Sequence, residues 1–118
     1  MAITINTQSR DFTEVEQYLM TLDRGIKSLK DVEDNTSIAV AGYLTFTDEK
    51  ENGDSVDILS IITPDNEVFT CQSATFKRSF DNITNIMHGK QFSVIKISGT
   101  TKNGRPYIDC ALDVKSVK

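Results

Sequence analysis

Residues 98–109, SGTTKNGRPYID, hold Lys102, Arg105 and Tyr107 within a span of six residues. Two cations and an aromatic ring this close together suit a single-stranded nucleic-acid site. The cations follow the phosphates, and a base stacks on the ring. The same stretch contains Asn103-Gly104, a strong hairpin signal, because a two-residue turn wants positive φ at both central residues. The turn alone requires no function. Basic residues beside it also serve solubility, and an outward Tyr fits β-propensity.

Other residues extend this chemistry. Lys96 lies in the strand that leads into the hairpin and Lys90 at its start, and Lys77 and Arg78 lie on the preceding helix. Tyr43 and Phe69 are further candidate rings, although Phe69 shares its strand with Cys71 and can equally face the core. The protein is acidic overall, at net −4, but unevenly so. Residues 1–74 hold five Lys and Arg against fourteen Asp and Glu, whereas residues 75–118 hold eight against three. Such a division is expected of a basic face on an acidic body. A local basic groove is what a polyanion feels at close range.

Catalysis has little to stand on. The one histidine, His88, sits at a helix end, where the helix dipole favours a cation, and no orienting partner is evident. GxSxG, P-loop and HExxH motifs are absent. Asp48, Glu49, Glu51, Asp54 and Asp57 do not follow calcium-loop spacing and read as a solvated loop. The two cysteines, Cys71 and Cys110, lie among β-formers with no CxxC or Cys/His cluster, so we expect reduced thiols and no zinc. No metal, cofactor or enzymatic activity is expected. No membrane span and no signal peptide are evident, which gives cytoplasmic residence as the default.

The elements that must position these residues follow from periodicity. The length suits one domain, with residues 1–10 loosely ordered. Residues 11–22 read as a helix with Asp11 as N-cap and Glu14 completing a capping box. Its stripe is Phe12, Val15, Leu19 and Leu22. Residues 26–32 are left open between strand and turn. From residue 38 the period becomes two: Ile38, Val40, Gly42, Leu44 and Phe46 on one side, Tyr43 and threonines on the other. VDILSIIT and VFTCQS form a hairpin around PDNE. Residues 74–88 are the clearest helix, capped by Ser73 and ended at Gly89, with Phe76, Phe80, Ile83 and Met87 as its apolar stripe. QFSVIKISG and YIDCALDV are the closing strands, with Ile108, Cys110, Leu112 and Val114 inward. The order β-β-β-α-β-β after an N-terminal helix is that of the OB-fold, a mainly β, five-stranded, partly open barrel over residues 38–114.

With this order in place, the chain resembles the small single-stranded DNA-binding proteins of tailed bacteriophages. The resemblance lies in IKSLKDVEDNTSIAVAGYL, in ILSIITPDNEVFT followed by SATFKRSFDNI, and in TKNGRPYIDCALDV, over about residues 26–114. It implies a non-enzymatic protein that coats and protects single-stranded DNA during replication. Lys90, Lys96, Lys102 and Arg105 would then meet phosphates, and Tyr43 and Tyr107 would meet bases. One departure is the loop DEKENGDS, which would repel phosphate unless it points away. Acidic parts that face outward suit replication proteins as partners. An interaction module acting through that acidic surface is the alternative.

Overall fold

The computed structural model describes residues 2–117. Among them are β1 (Ala2–Gln8), α1 (Glu14–Thr21), β2 (Lys27–Ser28), β3 (Ser37–Val40), β4 (Gly42–Glu49) and β5 (Ser55–Ile62). β6 (Val68–Cys71), α2 (Ala74–Met87), β7 (Phe92–Thr100) and β8 (Pro106–Leu112) follow. Short 3-10 turns occupy Leu29–Asp31 and Val114–Ser116. Residues 2–8 are thus a strand, where sequence patterning suggested loose order.

The expected OB barrel does not form. The chain is an α/β protein with two open sheets, one five-stranded and mixed in the order β1-β4-β5-β6-β2, the other three-stranded and antiparallel in the order β3-β7-β8. Two features keep the sheets apart. The edge of β6 that closure would need is taken by β2, which pairs with it in parallel, Lys27 opposite Phe69 and Ser28 opposite Thr70. The long strand expected from residue 38 also breaks at Ala41. There the Ala41 N–H donates to the Ile62 carbonyl at 2.9 Å, and the chain leaves β7 for β5.

That break changes the side each residue serves. Ile38 and Val40 of β3 enter the core between the two sheets. Leu44 and Phe46 of β4 enter a second core on the opposite face of the large sheet, beneath α1. Gly42 makes the crossing possible: a Cβ there would lie 2.7 Å from the Phe12 ring. Strand β5 is consequently covered on both faces, and its half from Leu59 to Ile62 is entirely buried. This explains its near-continuous apolar run.

The core between the sheets is built on α2. Ser73 caps it, its hydroxyl accepting from the Phe76 N–H at 3.2 Å. The helix ends at His88, which adopts left-handed φ 50° ahead of Gly89. Phe76, Phe80 and Met87 are buried, and Ile83 packs against the same core half-buried. Phe80 meets Tyr43 edge-to-face at 5.0 Å and Phe92 in a tilted arrangement at 6.0 Å. Aromatic pairs of this kind add about 0.5–1.5 kcal/mol beyond their buried area.

The second core lies under α1. The helix begins later than Asp11 would imply: Thr13 is its cap, and the capping box is closed by Glu16. The reason is Phe12, whose ring must reach over Gly42 before the helix can start. Met20 is fully buried, while Val15 and Leu22 are 68% and 51% exposed. Buried Ser60 is satisfied by donating to the Met20 carbonyl at 2.7 Å.

A candidate nucleic-acid groove

Because the sheets do not close, a seam remains between β6 and β8. It forms a groove of about 710 Å³. Apolar surface comes from Ile58, Cys71, Pro106 and Ile108, and hydroxyl and amide groups from Ser28, Thr70, Gln72, Ser73 and Ser98. Lys30, Lys96 and Tyr107 complete the lining, and two of the lining residues, Lys96 and Ser98, donate to the Asp34 carboxylate. The Ser73 side chain reaches across: its hydroxyl caps α2 and also donates to the Ile108 carbonyl on the free edge of β8 at 3.2 Å.

The hairpin at the end of the groove differs from the two-residue turn expected of Asn103-Gly104. Gly104 N–H donates to the Thr101 carbonyl at 2.9 Å, Thr101 N–H donates to the Arg105 carbonyl at 2.9 Å, and Gly104 has φ 81°. Asn103 is not among the residues with positive φ. This is a three-residue loop, in which a turn is followed by a left-handed glycine. Lys102 and Arg105 are exposed at its tip, with no ion pair among the described residues.

Tyr107 stands next to the loop, 39% exposed. It lies opposite Gly99 in the ladder, and its ring folds over that residue. A Cβ at Gly99 would come within 2.5 Å of the Tyr107 hydroxyl oxygen. The ring therefore sits at the lip of the groove on a glycine that only a missing side chain makes available.

The other sequence candidates are placed differently. Lys96 lines the groove but is buried. Its ammonium donates to the Val32 carbonyl at 2.7 Å and to Asp34 at 3.0 Å, and Ser98 donates to the same carboxylate at 2.6 Å. The Ser98 and Lys96 hydrogen bonds hold the Asp34 carboxyl below its usual range. Lys96 thus clamps the 32–36 loop onto β7, where backbone bonds from Asn35 and to Thr36 reinforce it. Tyr43 is half-buried against Phe80. Lys90 lies before β7, the far end of a nine-residue strand from Lys102, roughly 30 Å at 3.3 Å per residue. Phe69 is buried, with Lys27 over its ring at 5.6 Å. Lys77 donates to the Asp57 carbonyl at 3.0 Å, and the exposed hairpin 49–55 carries the acidic run.

Sequence patterning therefore brings Lys102, Arg105 and Tyr107 together, and the fold adds residues it did not single out: Lys30, Ser28, Thr70, Gln72 and Ser98. Lys30 hides in the segment whose structure periodicity left open. Thr70 and Gln72 alternate with Cys71 in VFTCQS, the one signal that could have found them.

Nucleophilic chemistry finds no support in the groove. Burial pushes the Cys71 thiol up to about 11 and the Cys110 thiol up to about 12, so both carry their protons at neutral pH. No group of three or more His, Cys, Asp or Glu among the described residues is placed to hold a metal ion. No helix among them is long and apolar enough to cross a membrane. Comparisons with protein-family models, curated protein sequences and solved structures found no match.

Proposed function

We propose that this protein binds single-stranded DNA along the seam groove, largely without sequence preference. The observation that carries the reading is the lining together with the hairpin beside it. In an acidic protein, the groove is lined by Lys30, by Lys96 already paired with Asp34, and by hydroxyl and amide groups. The hairpin next to Tyr107 carries Lys102 and Arg105, exposed and without an ion pair among the described residues. Lys30, Lys102 and Arg105 hold phosphates, Tyr107 stacks a base, and Thr70, Gln72 and Ser28 meet sugar and base edges. Lys96 supports the wall as a structural cation. The resemblance in TKNGRPYIDCALDV suggests the setting, coating of displaced single strands during phage replication.

Three phosphate contacts give a slope of about −2 in log K against log salt for a single strand. Affinity for oligo-dT should therefore fall about 20-fold between about 50 and about 200 mM salt. Tyr107→Ala should cost about 1–3 kcal/mol. A fluorescence titration with oligo-dT at the two salt concentrations tests this. A flat titration at the lower salt overturns the proposal.

A second reading is favoured by the β4–β5 hairpin, whose tip is tied by Lys50 N–H to the Asp54 carbonyl at 2.7 Å and carries Glu49, Glu51 and Asp54 exposed. It is an exposed acidic knob suited to a basic patch on a replication protein. Charge reversal there would abolish partner capture and leave oligo-dT binding intact.

A further inference from the structure

Open sheets have edges, and edges with unpaired N–H and C=O groups invite another strand unless they are blunted. Three of the four edges here are blunted. β2 has two residues and β3 has four. β8 begins at Pro106, which has no N–H, the Asp109 carboxylate accepts from the Cys110 N–H at 2.8 Å, and Ser73 occupies the Ile108 carbonyl. β1 is different. Its seven residues, AITINTQ, contain no charge and no proline, and they form the outermost strand of the larger sheet. A bulge at Asn6, between the pairs Ile5–Phe46 and Thr7–Thr45, leaves Ala2–Ile5 as the regular part, as short as β3. What sets it apart is that Ile3 and Ile5 are only half-buried, whereas Ile38 and Val40 of β3 are already buried.

We propose that β1 pairs antiparallel with β1 of a second copy of this chain, making one sheet continuous through both. The sequence of the strand selects the partner. A two-fold axis through Thr4 sets Thr4 opposite Thr4 of the second copy, and Ile3 opposite its Ile5. The threonine hydroxyls meet on one face. On the other, Ile3 and Ile5, half-buried at the margin of the second core, gain an apolar neighbour and extend that core across the axis. A neutral strand meets itself without repulsion, whereas like charges placed directly opposite would oppose pairing. The pairing uses no residue of the groove, so it stands or falls independently of DNA binding. The contact is short, so the dimer is weak and dependent on concentration.

Sedimentation equilibrium of the full chain tests this. The mass should rise from 13.2 kDa toward twice that value as concentration increases. T4K and T4E, changes at an exposed position, should each remain monomeric while keeping the wild-type melting temperature. Mixed in equal amounts, they should recover dimer. T4C should cross-link to itself under mild oxidation, and T7C should not. A wild-type chain that stays at 13.2 kDa into the high micromolar range overturns the proposal. So does a dimer that survives T4K, or a T4K/T4E mixture that stays monomeric.

Discussion

The two cores of this molecule use opposite strategies. The core between the sheets is organised by a regular helix whose apolar stripe is buried almost as written. The core under α1 is organised by a loop residue, Phe12, and by Met20, while the helix leaves Val15, Tyr18 and Leu22 in solvent. Helical periodicity identifies a buried face only when the helix itself sets the packing. Where a preceding residue anchors the chain, as Phe12 does above Gly42, the helix takes whatever phase that anchor leaves it.

This contrast can be broken experimentally. The largest effect is expected at Phe80, where an alanine removes a fully buried ring from the aromatic group of Tyr43, Phe76 and Phe92. The loss should be about 3–5 kcal/mol in chemical denaturation. Met20→Ala should cost about 2–5 kcal/mol, toward the low end if the short helix settles into the space. Parity between the two would mean that α1 is held as rigidly as α2.

A smaller effect is expected at the start of α1. Thr13→Ala removes a cap and should cost about 1 kcal/mol. The same cap carries a pH signature. Hydrogen bonds from Arg10 and Thr13 lower the Glu16 carboxyl from 4.5 to about 2. A carboxyl lowered by folding stabilises the fold above its unfolded value and loses that contribution as pH falls through its folded one. The melting difference between wild type and Glu16→Gln should therefore be present at pH 6 and fade between about pH 4.5 and about pH 2. The smallest effects belong to Val15→Ser and Leu22→Ser, each within about 0.5 kcal/mol of wild type. A large loss at either position would mean that the exposed face of α1 is covered in solution.

Local patterning captured the elements more faithfully than their assembly. The strands from β5 to β8, helix α2 and its Ser73 cap follow from periodicity and turn chemistry, whereas the one strand read from residue 38 is two strands in different sheets. Closure into a barrel could not be decided that way. Ile38, Val40, Leu44 and Phe46 have the same parity, and the change of partner at Ala41 and Gly42, to the distant Ile62 carbonyl and the Phe12 ring, sends them to different cores. β2 blocks closure with two residues, too few for any period to reveal. Lys96 was more legible than its charge suggested. It alternates with Phe92 and Val94, so strand parity already turns it inward, where Asp34 and a carbonyl satisfy it. The groove is a gap between sheets, and a gap leaves no pattern along the chain.

Gly99 and Tyr107 are eight residues apart in sequence yet share one volume, the ring occupying the space a Cβ would need. A change at either position is felt at the other. A side chain arriving at 99 displaces the ring, and losing the ring at 107 uncovers bare backbone near the hairpin end of the strand pair. The two sites should therefore be inherited as a unit, so that relatives with a larger residue at 99 also lack the aromatic at 107.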